Sequence, residues 1–343
     1  EYKGDKLSWS VPSEMHYASH GSDLPQVSGT LPEDESGVPR TEMRAVEDEA
    51  YFDGRIAKKA IDGLSELAKK DQPFFLAVGF WKPHAPFNAP KKYWDLYERS
   101  GLEPPANSFP PKDVPPIAMH DSREILRGFR DRPMSKPTAD EVITLRHGYY
   151  AATSFVDAQI GKVIDHLDAL KLADNTIIVL WSDHGFHLGE HALWAKTSNF
   201  ELDARVPLII VSPKHEPAKT QALVELLDIY PTLVDLCGLP TPEHLEGKSL
   251  RPLLKDPQSS VKQAARTWHP RPAYPAAGKE PNVMGHSIRT KDFRYTEWRK
   301  FNSDEIVAQE LYDHRADSLE NRNVAGESRY RATLQELVQL LSR

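Results

Sequence analysis

Between about residues 45 and 70, apolar side chains recur every three or four positions. Ile56, Ala60, Ile61, Leu64 and Leu67 line one side with charged residues between them, which predicts an amphipathic helix. The same period returns over 139–171, where Val142, Leu145, Tyr149, Ala152, Val156, Ile160, Val163, Leu167 and Leu170 predict one long helix. Three other segments, 73–81, 176–181 and 206–212, are short, continuously apolar and bounded by Pro, Asn or polar residues. That is the pattern of strands buried on both faces. A further helix is predicted over 221–237, stopped by Gly238. Alternating strand and helix in this order predicts an α/β fold with a largely parallel sheet and helices on both faces.

The remaining chain reads differently. Residues 1–45 show no period and are rich in Ser, Gly, Pro and acidic residues, so they are expected to be an irregular excursion of the large domain. The proline-rich stretch 82–137 is expected to be a long functional loop. Beyond about residue 262 the runs become short and alternating (Ser287-Ile-Arg-Thr290, Phe293-Arg-Tyr-Thr-Glu-Trp298, Glu310-Leu-Tyr-Asp313), which predicts a small antiparallel sheet, closed by a helix over 329–341. The expected domains are therefore 1–45 as the excursion, 46–260 as the α/β domain and 261–343 as a C-terminal α+β subdomain.

Composition narrows the function. The 343 residues are enough for about two domains. With 43 basic and 50 acidic residues the net charge is −7, which disfavours non-specific nucleic-acid binding. The single cysteine, Cys237, excludes an internal disulfide and any cysteine-based metal centre, and its place at the end of an apolar helix predicts a small buried hydrophobe. No apolar run reaches the roughly 20 residues of a membrane span. The start, Glu1-Tyr-Lys-Gly-Asp5, is polar and lacks Met, so either a leader has been removed or the chain begins within a longer protein.

Three short motifs carry candidate chemistry. Ser182-Asp183-His184-Gly185 follows the second apolar run directly. Ligands in open α/β sheets bind at the carboxyl ends of strands, and a carboxylate beside an imidazole is a candidate metal-ligand pair. An Asp that caps the next element and a His satisfied in a loop explain the same residues without any ligand. Trp81-Lys82-Pro83-His84 follows the first run and brings two chargeable groups to a strand end. Gly189-Glu190-His191-Ala-Leu-Trp194-Ala-Lys196 places a lysine twelve residues after His184. A lysine near a metal and a histidine suits a tetrahedral oxyanion. A solvated surface is the plainer account of Glu190, His191 and Lys196.

Longer segments resemble type I sulfatases, and the iduronate-2-sulfatase branch of that family most. They are Pro73-Phe-Phe-Leu-Ala-Val-Gly-Phe-Trp-Lys-Pro-His-Ala-Pro-Phe87 and Trp181-Ser-Asp-His-Gly-Phe-His-Leu-Gly-Glu-His-Ala-Leu-Trp-Ala-Lys-Thr-Ser-Asn-Phe200. Shorter matches are Val206-Pro-Leu-Ile209, Asp228-Ile-Tyr-Pro-Thr-Leu233, Leu245-Glu-Gly-Lys-Ser-Leu250, Gly285-His-Ser-Ile-Arg-Thr290 and Phe293-Arg-Tyr-Thr-Glu-Trp298. The resemblance implies an alkaline-phosphatase-like fold with a small C-terminal subdomain. It implies a formylglycine nucleophile and one calcium ion, for which Asp183 and His184 match half of the ligands. A nitrogen ligand is uncommon for so hard a cation, so the place of His184 in the set comes from the resemblance. By the same resemblance His84 and Lys196 match the sulfate-binding and leaving-group residues, and Lys82 and His191 join them as expected substrate contacts.

The formylglycine motif, Cys/Ser-x-Pro-x-Arg, is not found. Cys237-Gly-Leu-Pro-Thr241 has its proline one place late and no arginine, Ser108-Phe-Pro-Pro-Lys112 ends in lysine, and Ser36-Gly-Val-Pro-Arg40 again has a late proline. The chain is therefore expected to be the C-terminal two-thirds of a sulfatase. The nucleophile, the other calcium ligands and the first strands would come from an N-terminal segment or separate chain. The expected substrate is a sulfated glycan or uronate. The expected location is exported, periplasmic or extracellular, or lysosomal in a eukaryote. His84 and Lys196 are expected to lie within about 10 Å of Asp183, the reach of groups sharing one small anion. A phosphate or phosphonate ester hydrolase of the same superfamily, and an inactive binding fragment, remain open alternatives.

Overall fold

The structure is a computed structural model that describes residues 7–11, 24–127, 137–213, 215–276 and 278–342. Parts of the expected excursion (1–6, 12–23) and of the expected loop (128–136) lie outside the described residues. The chain forms two compact units, residues 1–104 with 123–176 and residues 105–122 with 177–343.

In the first unit, strands β1 (Thr41–Arg44) and β2 (Phe87–Pro90) pair in parallel, Thr41 opposite Phe87. Neither was predicted, because both are four residues long and lie in stretches without a clear period. Helix α1 (Phe52–Leu67) buries Ala57, Ala60 and Leu64, three of its small or apolar positions. Short helices α2 (Lys91–Trp94) and α3 (Arg123–Leu126) precede the long helix α4 (Ala139–Ala169). A reciprocal cap starts α4: the Glu141 amide donates to Thr138 Oγ1 at 3.3 Å and the Thr138 amide to Glu141 Oε2 at 2.7 Å. Its buried face includes Leu145, Gly148, Ala152, Phe155 and Gln159. A Cβ on Gly148 would stand 2.9 Å from the Trp94 ring and 3.1 Å from Phe87 Cβ, so the helix rests closely on β2 and α2 there.

Asp48 ties these pieces together. Its carboxylate accepts from Lys162 Nζ at 2.7 Å, Tyr93 Oη at 2.9 Å and Gln159 Nε2 at 3.1 Å, and Lys92 Nζ lies 2.8 Å away. The run 73–81 is extended but pairs with no strand among the described residues, and its side chains alternate between half-buried and exposed. The predicted burial is thus not met: Phe75 is 70% exposed. Apolar sequence favours an extended backbone, but burial needs neighbouring strands.

The second unit contains β3 (Ile178–Trp181) and β6 (Leu208–Val211), which match two predicted strands. They pair antiparallel, Leu180 opposite Ile209. The chain returns between them without a long crossover helix, the element a parallel pair requires. The intervening excursion holds a tiny antiparallel pair, β4 (His187–Leu188) with β5 (Trp194–Ala195), and helix α5 (Glu201–Ala204). The predicted helix at 221–237 is shorter: α6 covers Ile229–Leu236 after a 3-10 turn at Leu226–Asp228. The Glu225 amide donates to Asp228 Oδ2 at 2.8 Å, which starts the helical turn there and leaves the preceding residues out of it. Gly238 adopts φ 68°, as a C-terminal cap needs. Cys237 is exposed, not buried as predicted, because the helix ends at that residue and turns it outward.

After α7 (Arg251–Lys255), strands β7 (Ala265–Arg271), β8 (Val283–Arg289), β9 (Phe293–Lys300) and β10 (Ile306–Asp313) form an antiparallel sheet in the order β10-β9-β8-β7. Helix α8 (Arg331–Leu341) brings Leu337 to a core of Ile288, Tyr295, Leu311 and Val324. This is the predicted C-terminal sheet with its closing helix. β7 is the addition.

Candidate active site

Asp183 and His184 lie just past the end of β3. The Asp183 carboxylate is 82% exposed, and its Oδ2 lies 3.6 Å from His184 Nε2. His184 Nδ1 lies 2.8 Å from the Gly185 carbonyl, which can only accept. A proton on Nδ1 serves that contact and leaves Nε2 on the side of Asp183. A backbone carbonyl fixing one ring nitrogen while the other offers its lone pair is the usual support for a metal-binding histidine. Two donors 3.6 Å apart can share one cation at the 2.3–2.6 Å typical of calcium–oxygen bonds. The residues present thus fit half of a cation site. Gly185 packs against its own chain: a Cβ there would lie 1.9 Å from the Leu202 carbonyl oxygen.

Lys196 belongs to the same unit and is half-buried. Its backbone neighbourhood is unusual. Ala195 has φ 69° and Thr197 has φ 93°, while His191 and Ala192 have φ 54° and 58°. Left-handed backbone at Ala and Thr costs on the order of 1 kcal/mol or more per residue and persists only where surroundings over-determine it. The sequence gives no sign of this, because none of these residues is a Gly or Asn.

Buried polar groups supply the constraint. His187 Nδ1 lies 2.7 Å from Asp203 Oδ1, and His187 Nε2 lies 3.4 Å from His191 Nδ1. Asp203 Oδ2 accepts from the Ser198 amide at 2.9 Å and from Ser198 Oγ at 2.6 Å. Burial by itself favours a neutral His187, but the Asp203 charge and hydrogen bond outweigh it and raise the pKa. Burial and the neighbouring His187 charge lower that of His191. His191, expected to meet substrate, is buried and its Nε2 donates to the Leu319 carbonyl at 2.7 Å, so its ring is part of the scaffold. His187 and Asp203 escaped the sequence reading. The signal available was a pair of histidines four apart beside a Ser-x-x-x-x-Asp spacing.

A second cluster anchors α5 to the C-terminal sheet. Arg294 donates to Glu201 Oε2 at 2.6 Å and to Glu320 Oε1 at 2.8 Å, and Arg289 Nε donates to Glu201 Oε2 at 3.0 Å. Glu201, His314 and Glu320 have ligand-type atoms within 4.8 Å of one another. The guanidinium of Arg294 already supplies the positive charge there, so this is an ion-pair cluster.

Lys82 and His84 lie in the first unit. Asp53, at the start of α1, accepts from the Trp81 amide at 2.7 Å and the Lys82 amide at 2.8 Å, fixing the end of the extended run. Lys82 is buried, and its Nζ donates to the Pro86 carbonyl at 2.9 Å. That supports the loop, where a substrate contact was expected. His84 Nδ1 lies 2.6 Å from the Ala85 carbonyl, and its Nε2 is 3.4 Å from Glu124 Oε1 on α3.

A family profile described as "Sulfatase" matches residues 12–239, two-thirds of the chain. The chain belongs to the sulfatase family. A second profile, described as "N-sulphoglucosamine sulphohydrolase, C-terminal", matches residues 189–343. Iduronate 2-sulfatase of Mus musculus is 32% identical over 83% of this chain and 64% of its own length. The Homo sapiens protein of that name is 32% identical over 80% and 62%. The chain thus spans less than two-thirds of these relatives. Choline-sulfatase of Rhizobium meliloti is 32% identical over 80% of this chain and 51% of its own. Among solved structures, one in complex with its substrate D-glucosamine-2-N,6-O-disulfate is 25% identical with a TM-score of 0.68, covering 85% of this chain and 69% of that one. A phosphonate monoester hydrolase from Silicibacter pomeroyi is 26% identical with a TM-score of 0.76, covering 96% and 65%. The chain has the alkaline-phosphatase-like fold of these neighbours, and its own C-terminal part is a four-stranded antiparallel sheet.

Proposed function

We propose that this chain carries the oxyanion-binding part of a sulfuric ester hydrolase acting on a sulfated glycan or uronate. The observation behind it is the Asp183–His184 donor pair at 3.6 Å, at a strand end of a sulfatase-family chain. Asp183 and His184 would hold one side of a calcium ion, which when bound polarises the sulfate group. Lys196 then neutralises charge on the transferring group, and His84 protonates the sugar oxygen as it leaves. The nucleophile, a formylglycine, and the remaining metal ligands are assigned to an N-terminal segment. No helix among the described residues is long and apolar enough to cross a membrane. Such an enzyme would work in an exported, periplasmic or extracellular setting, or a lysosomal one in a eukaryote.

The test is hydrolysis of a sulfated uronate by residues 1–343 alone and by the chain joined to an N-terminal sulfatase segment. The joined enzyme should turn over and the chain alone should not. Robust turnover by the chain alone, with no second polypeptide in the mass spectrum, would overturn the assignment. A phosphonate ester hydrolase is the second possibility, favoured by the TM-score of 0.76 to such an enzyme. Faster cleavage of a phosphonate monoester than of a sulfate ester by the joined enzyme would select it.

A further inference from the structure

Hydrogen bonds and burial together select one protonation pattern around His187. The Leu319 carbonyl can only accept, so His191 carries a proton on Nε2, and burial with the neighbouring His187 charge keeps a second proton off Nδ1, which has a lone pair. His187 Nε2, 3.4 Å from that lone pair, must then donate. His187 Nδ1 faces the Asp203 carboxylate at 2.7 Å and must donate as well. Both nitrogens of His187 are protonated, so the ring is an imidazolium inside a buried ion pair.

The same pair brackets Lys196 on the chain. On one side, β4 pairs His187 with Ala195, the residue before Lys196. On the other, Asp203 holds Ser198 through both its amide and its hydroxyl, and Arg271 Nη1 donates to the Thr197 carbonyl at 2.9 Å. Ala195 and Thr197, the immediate neighbours of Lys196, are both in the left-handed region. An unconstrained chain would relax there.

We propose that His187 is a positioning residue acting as an imidazolium: gripped by Asp203, it fixes the residues on both sides of Lys196 and so holds the ammonium ready for a tetrahedral oxyanion. This rests on the role given to Lys196 above. The charged groups around the ring come from several elements: Asp203 on α5, His191 and Glu190 on the excursion, Glu320 after β10, and His120 on the 105–122 segment. Burial pushes His120 down to about 4, so it adds no positive charge near neutrality. The carboxylates dominate and keep the ring charged.

The experiment is long-range proton–nitrogen NMR of the histidine-labelled chain, with His187→Gln used for assignment. At about pH 8, where a free imidazole of pKa about 6.5 is neutral, His187 should keep both protons and His191 should show its proton on Nε2. Reductive methylation of Lys196 followed by mass spectrometry gives a second readout. Asp203→Asn should raise its rate several-fold and shift the loss of the His187 proton to lower pH. A singly protonated His187 at about pH 8 in the parent protein overturns the proposal even if no variant folds. So does an unchanged Lys196 rate in a folded Asp203→Asn protein. Sulfate titration separates the two ideas: absent sulfate binding with the imidazolium intact would count against the sulfatase role of Lys196, not against the clamp.

Discussion

At the residue scale, burial decides what each ionisable group does. Glu310 on β10 accepts from Trp298 Nε1 at 2.7 Å and from Tyr312 Oη at 2.6 Å. Burial nevertheless pushes its pKa up from 4.5 to about 7. A carboxyl with a raised folded pKa binds its proton more tightly when folded, so stability falls as pH rises from the unfolded value toward the folded one. The expected loss between about pH 4.5 and 7 is about 3 kcal/mol. Urea unfolding at both ends of that window measures it, and Glu310→Gln should flatten the slope. His191 and Lys82 follow the same logic. Each was legible as a polar residue near a strand end, but enclosure and a backbone carbonyl partner made both structural.

At the element scale, α4 depends on two local fits. Gly148→Ala would gain up to about 1 kcal/mol of helix propensity. Its Cβ would meet the Trp94 ring at 2.9 Å and Phe87 Cβ at 3.1 Å, and crowding of this kind costs about 1–3 kcal/mol. Net destabilisation is expected, read as a lower midpoint in thermal unfolding. Gly161→Ala, in open space on the same helix, should be neutral or stabilising. Asp48 joins the 3-10 turn before α1 to α2 and α4. Burial tends to raise its pKa, but hydrogen bonds from Lys162 and Lys92 overcome this and hold it at about 2. A depressed carboxylate stabilises the fold above its unfolded value of 3.8, and that contribution, about 2 kcal/mol, is lost as pH falls through about 2. Asp48→Asn should cost about 2 kcal/mol near neutrality, because two half-exposed ammonium groups lose their charged partner. Denaturant titration at neutral pH reads that directly.

At the scale of the whole molecule, large apolar side chains stand exposed. Phe75 on the 73–81 run and Ile209 on β6 are 70% and 55% exposed. Exposed apolar surface of this kind drives association with other chains. Residues 1–343 alone should self-associate, with Phe75→Lys and Ile209→Lys raising the monomer fraction in size-exclusion chromatography. An equally monomeric parent protein would contradict this. The long helix, the strands before Asp183 and after Arg205, the C-terminal sheet and the family are legible along the chain, because each is written in local period or in a contiguous motif. That β3 and β6 run antiparallel, that Cys237 faces outward, and that His187 and Asp203 clamp the chain around Lys196 emerges only once the chain is folded. Strand direction, exposure and protonation depend on which groups become neighbours in space, and spacing along the chain does not carry that information.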